Sequence, residues 1–132
     1  MKVITIKQPY ASLIINGYKK YEFRSWKTKH RGKLLIHAGK QMNKQMRERV
    51  KHLNLDYPSG CIIGAVELTD CVKIDDHLLK ELDDNVIIYG NKSDYEGYIW
   101  KVCNPYKFTD LISCNGKLSL WDYNIDKKND AL

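Results

Sequence analysis

KQPYASLIINGYKKYEFRSWKTKHRGKLLIHAGK, running from Lys7 to Lys40, contains a helix start, a glycine stop, a charged strand, a basic loop and an apolar strand. Pro9 suits a first helical turn, because its fixed φ fits and its missing N–H would have had no partner there. Tyr10 to Asn16 follows as the helix, with Leu13, Ile14 and Ile15 on its buried side. Gly17 stands where a left-handed cap ends it. Tyr21 to Trp26 then alternates at strand period, which puts Tyr21 and Phe23 on one face and Glu22, Arg24 and Trp26 on the other. One face is expected to be core and the other a charged platform. Gly32 turns the basic loop Lys27–Lys33 into Leu34–Ala38, a run apolar enough for a strand buried on both faces.

Outward from this stretch the chain reads as scaffold. Val3–Ile6 is a short β-prone run. From Met42 to Leu53 the apolar residues Met42, Met46, Val50 and Leu53 recur every three or four positions, the stripe of an amphipathic helix. Cys61–Leu68 is a central strand, and Asp75 or Asp76 can cap a short helix ending at Leu82. Asn85–Gly97 reads as irregular around Val86–Tyr89. Tyr98–Val102 is a strand, Tyr106–Ile112 another, and Leu118–Tyr123 the closing one. Five to seven short strands with interspersed helices predict a mixed α+β domain on a small curved or closed sheet. One domain is expected over 1–125, with a polar tail at 126–132.

Charge narrows the partner class. With 22 Lys+Arg against 16 Asp+Glu, the net charge is +6. A basic domain of this kind attracts polyanions, nucleic acid foremost. The four cysteines show no C-x-x-C pair and no histidine at zinc spacing, so free thiols are expected and neither a metal nor a cofactor is called for. No apolar run approaches the ~20 residues a membrane span needs, and the first residues do not read as a secretory signal. The expected setting is therefore cytoplasmic, with no membrane partner.

Several side chains could carry chemistry. Gly17-x-Lys19-x-x-Glu22-x-Arg24 sets a carboxylate beside two cations, which keeps it ionised, while a guanidinium can hold an anion bidentately. The same pattern also fits a solvated Glu–Arg pair on a sheet surface. Trp26, Trp121 and Tyr123 are candidate stacking surfaces for a base, whereas Trp100 alternates with Tyr98 and Val102 and belongs to the core. Lys27, Lys29, His30, Arg31 and Lys33 could follow a phosphate backbone, and Lys40, Lys44, Arg47 and Lys51 could extend that track. His37, set in an apolar strand, reads as a hydrogen-bonded core residue. No nucleophile elbow or Cys–His dyad is present.

Together, Gln8-Pro9-Tyr10-Ala11-Ser12-Leu13-Ile14, Gly17 through Trp26, Arg31-Gly32, Leu35 through Lys40, and the closing Leu120-Trp121-Asp122-Tyr123 resemble the ASCH domain of the PUA-like superfamily. The resemblance implies a small β-barrel with flanking helices and a cleft lined by the G-x-K-x-x-E-x-R segment, in a family regarded mainly as RNA-binding. It carries over Lys19, Glu22 and Arg24 as cleft residues, with Gln8, Ser12 and Trp26 near them. The expected ligand is RNA, another single-stranded nucleic acid or a modified nucleoside.

One branch of the superfamily deacylates N4-acetylcytidine with the motif lysine and a threonine three residues later. Here Lys19 matches, but Glu22 stands at the threonine position and offers no hydroxyl nucleophile. An enzymatic alternative keeps Lys19 and Glu22 as catalytic residues of a small amidohydrolase or ribonuclease, with Glu22 as general base. A further alternative is a protein-interaction adaptor with a basic face.

Overall fold

The computed structural model describes residues 1–82, 85–89 and 96–125 of the 132-residue chain. Six strands, β1 (Lys2–Gln8), β2 (Tyr21–Arg24), β3 (Gly32–Met42), β4 (Cys61–Lys73), β5 (Tyr98–Ser113) and β6 (Leu120–Asp122), form one sheet in the order β2-β5-β4-β3-β1-β6. Four α-helices accompany them among the described residues: α1 (Tyr10–Ile15), α2 (Lys44–Arg49), α3 (Asp76–Leu82) and α4 (Val86–Tyr89). A 3-10 turn at Lys51–Leu53 continues α2. The architecture is α+β, and no described helix is long and apolar enough to cross a membrane.

The hydrogen-bonded ladder stays open between β2 and β6, yet the sheet curls strongly. β2 and β1 are four strand spacings apart in that order, roughly 19 Å if the sheet were flat. Even so, the Arg24 side chain on β2 donates to the Thr5 carbonyl on β1 at 3.0 Å. The expected barrel is therefore a rolled, incompletely closed sheet.

Burial on both faces explains the unbroken apolar run of β3. Leu34, Ile36 and Ala38 join Ile4, Ile6 and the α1 residues Ala11, Ile14 and Ile15 in one cluster, while Leu35 joins Val3, Ile62, Phe108 and Trp121 on the opposite side. Burying each large aliphatic side chain contributes roughly 1.5–3 kcal/mol. β1 and β3 run parallel and the other ladders are antiparallel.

Some boundaries differ from expectation for identifiable reasons. Asn43 caps α2 by accepting from the Met46 N–H at 3.0 Å, so the helix starts after Met42, which ends β3 instead. The two strands expected over Tyr98–Ile112 are one bulged strand, with Asn104 at φ +50° and register shifts against β4. Val86–Tyr89, expected within an irregular stretch, is helical and buries Ile88 and Tyr89. Residues 126–132, read as a tail, lie outside the described residues. All four cysteines are free, but only Cys61 is buried and Cys103 is exposed.

Candidate ligand cleft

The end of α1 positions the central lysine. Gly17, at φ +84°, donates its N–H to the Ile14 carbonyl, and Tyr18 donates to the Leu13 carbonyl. This double closure is the Schellman arrangement, which needs a residue comfortable in the left-handed region. Lys19 also donates its backbone N–H to Leu13, so the chain doubles back and sends the Lys19 side chain inward. Only 3% of Lys19 remains exposed.

β2 supplies the partners. Its register on β5 sets Glu22 opposite Trp100 and Arg24 opposite Tyr98. Directly opposed residues share a sheet face, and Trp100 is completely buried. The charged face of β2 is therefore its inward face, not the exposed platform expected from alternation. Tyr21 and Phe23 are half-buried and pack against Tyr89 of α4.

Three charges interlock at the cleft floor. The Lys19 ammonium donates to the Tyr21 carbonyl and to Glu22 Oε1, the latter at 3.1 Å. Glu22 Oε1 also accepts from the Phe23 N–H, and Oε2 accepts from an Arg24 Nη at 3.2 Å. That same nitrogen makes the bond to Thr5, which leaves it little capacity for a ligand. Arg24 Nε, by contrast, has no acceptor among the described residues. Three aromatic rings surround Lys19 Nζ, with centroids at 4.9 Å (Phe23), 5.7 Å (Tyr10) and 5.8 Å (Tyr89).

Electrostatics follow from this packing. Burial pushes the Lys19 ammonium below the usual lysine range, against the Glu22 charge that favours its protonated form. Burial alone would push Glu22 up. The Lys19 and Arg24 charges and the Phe23 N–H overcome it and hold the carboxyl below the usual glutamate range. Burial also raises the Tyr10 hydroxyl, assisted by Glu22, and that hydroxyl accepts a hydrogen bond from Asn43.

Above this floor opens a cavity of about 470 Å³, within the size range of small-molecule sites. Lys19, Glu22, Arg24 and Lys40 line it, joined by Thr5, Lys7, Tyr10 and Phe23, which the sequence reading did not assign to a site. From the sequence Tyr10 is a helix residue and Phe23 a core one. The one available signal was their nearness in sequence to Pro9 and Glu22. Gly97 is a further hidden contributor: at φ +98°, a Cβ there would stand 2.4 Å from the Arg24 carbonyl oxygen. Its bare backbone lets β2 finish where Arg24 can reach inward.

The other expected site residues stand elsewhere. Gln8 and Ser12 are buried and bond each other, the Pro58 carbonyl and the Asp56 carbonyl, fastening the segment before β4 to α1. Trp26 packs edge-on against Trp100, with centroids 4.8 Å apart. Trp121 is buried and donates its indole N–H to Thr5 Oγ1. Lys29 is exposed, and Arg31 bonds the Thr28 and His30 carbonyls and lies 3.7 Å from Asp70. None of these six lines the cleft. His37 is buried and hydrogen-bonded to the Cys114 carbonyl, as expected for a core histidine.

The ASCH domain model matches residues 4–111, well over half of the chain. The chain belongs to the ASCH domain family. Activating signal cointegrator 1 from Mus musculus is 31% identical over 130 residues, and its Homo sapiens counterpart 30%. In each case the match covers 89% of this chain but 21% of the relative, so the chain spans about a fifth of the curated relatives it matches. The crystal structure of ASCH from Zymomonas mobilis superposes with a TM-score of 0.61 at 17% identity, covering 98% of this chain and 90% of that one. A mutant form of the same protein gives 0.62 at 16%, over 98% and 94%. At such identities the likeness shows the ASCH fold.

Proposed function

We propose that the cleft of this ASCH domain binds RNA or a modified nucleotide. The observation that carries this reading is the buried Lys19–Glu22–Arg24 network at the floor of a cavity with aromatic walls and a basic rim. A carboxylate has about four acceptor positions. Lys19, Phe23 and Arg24 fill three of Glu22's, leaving one on Oε2 for a donor on a base edge. Tyr10 and Phe23 offer rings where the sequence had suggested Trp26 or Trp121, and Lys7 and Lys40 stand at the rim for phosphate. Membership in a family proposed for RNA binding supports the same reading.

A second reading, hydrolysis at the same cleft, draws on one observation: Lys19 is a buried amine with a depressed pKa, the property of many catalytic lysines. Glu22 argues against it. A carboxylate held below its ordinary range is a weak base near neutrality, and its oxygens are already largely occupied. Incubation with an acetylated cytidine and with single-stranded RNA separates the two readings. Binding without turnover supports the first, and turnover lost in Lys19→Ala supports the second.

A further inference from the structure

Beside the ion-lined cleft lies a second cavity of about 410 Å³, and Thr5, Gly39 and Lys40 line both. The two spaces meet at β1 and the far part of β3. Gly39 carries no side chain at this junction; a Cβ there would already press on Thr5 Cγ2 at 3.2 Å. The Lys40 stem lies over Gly60 in the second cavity, with Cε 3.5 Å from where a Gly60 Cβ would stand. Lys40 thus borders both spaces.

His37 forms part of the inner wall of the second cavity. His37 is 2% exposed, and its Nε2 lies 2.8 Å from the Cys114 carbonyl, which can only accept. Nε2 therefore carries the proton, and in the neutral ring Nδ1 is a bare acceptor. Nδ1 is shielded from bulk water and has no donor among the described residues. At the outer rim Lys117 lies over the Trp121 ring at 5.8 Å, and Leu118 is 93% exposed.

Charge selects the ligand class. Among the residues lining both cavities Glu22 is the sole acid, and Lys19 and Arg24 already neutralise it. Lys7, Lys40 and Lys117 leave the joined groove cationic. We propose that the second cavity is a subsite for the neighbouring nucleotide of a single strand, with Lys40 on the linking phosphate and the adjacent base against Leu118 and the His37 wall. The ligand is then an oligonucleotide of two or more residues and not a free nucleoside. This inference rests on the nucleotide reading of the first cleft.

NMR titration of the whole chain tests it, using the four nucleoside 5′-monophosphates and mixed-sequence di- and trinucleotides of RNA as probes. Dinucleotides should shift the amides of Asn115, Gly116 and Lys117 together with that of Arg24, and should bind roughly tenfold tighter than the monophosphates. The exposed change Lys117→Glu should remove most of that gain while moving monophosphate affinity less than about twofold. Dinucleotides that shift only first-cleft amides, and bind no tighter than monophosphates, overturn the subsite and leave the nucleotide reading standing. No shift with any probe overturns both.

Discussion

Two neighbouring stretches of similar composition end up in opposite environments. Lys19–Arg24 and Lys27–Lys33 are both rich in Lys and Arg, yet the first draws Lys19, Glu22 and Arg24 into a largely buried mutual network, whereas in the second Arg31 makes only local contacts at the surface. Glu22 is 8% exposed, whereas Lys29 and Arg31 face solvent. Burial therefore decides what a charge can do here. In the cleft, removing one partner strands the others in a low dielectric; in the loop, water screens each loss.

The largest expected effect follows from that asymmetry. Glu22→Gln removes the anion that compensates the buried Lys19 and the partly buried Arg24, and breaking a buried pair costs about 3–5 kcal/mol. Chemical denaturation at neutral pH should show a loss of that size with the fold retained. A loss no greater than that of a surface pair would place Glu22 with the loop charges.

The same network sets a pH signature. Glu22 has a depressed folded-state pKa, so its stabilisation is complete above the ordinary glutamate range and is lost as the pH falls through the depressed value. Lys19 is depressed as well. The unfolded chain holds that proton more tightly, so stability should rise as the pH climbs from the depressed folded value toward the ordinary lysine range. Denaturation curves across both windows check the two signs, and Glu22→Gln should flatten the acid limb.

Tyr10→Leu keeps apolar bulk at the cleft wall but removes a ring. It should weaken RNA binding by about 1–3 kcal/mol, the worth of one stacked base, as read by fluorescence anisotropy. An unchanged affinity would assign Tyr10 to packing alone. The smallest effect belongs to the loop: Lys29→Ala should change affinity at moderate salt by less than about twofold and only reduce the slope of affinity against salt. A loss matching that of Tyr10→Leu would move the binding surface to the loop.

Much of the fold was legible because local chemistry sufficed. Gly17 had to end α1, and the double closure from Leu13 and Ile14 is the arrangement such a glycine permits. The apolar run Leu34–Ala38 announced a strand covered on both faces, and the clusters around it show that. The site was harder to read. Alternation along Tyr21–Arg24 separates two faces but cannot say which one looks inward; that depends on pairing Glu22 with Trp100, far along the chain. Trp121 looked like a stacking ring until β6 paired with β1 and drew its indole N–H to Thr5. Tyr89 and Gly97 shape the surroundings of Lys19 and Arg24 from a segment that reads as irregular around the apolar run Val86–Tyr89.

The most direct test is an anisotropy titration of mixed single-stranded RNA with the wild-type chain, Arg24→Ala and Lys29→Ala, with Mg²⁺ or EDTA, while RNA length is followed in the same samples. Salt-dependent binding of intact RNA is predicted, weakened on the order of tenfold or more by Arg24→Ala and barely by Lys29→Ala. Equal effects of the two changes, or RNA that shortens with wild type and not with Glu22→Gln, would contradict it.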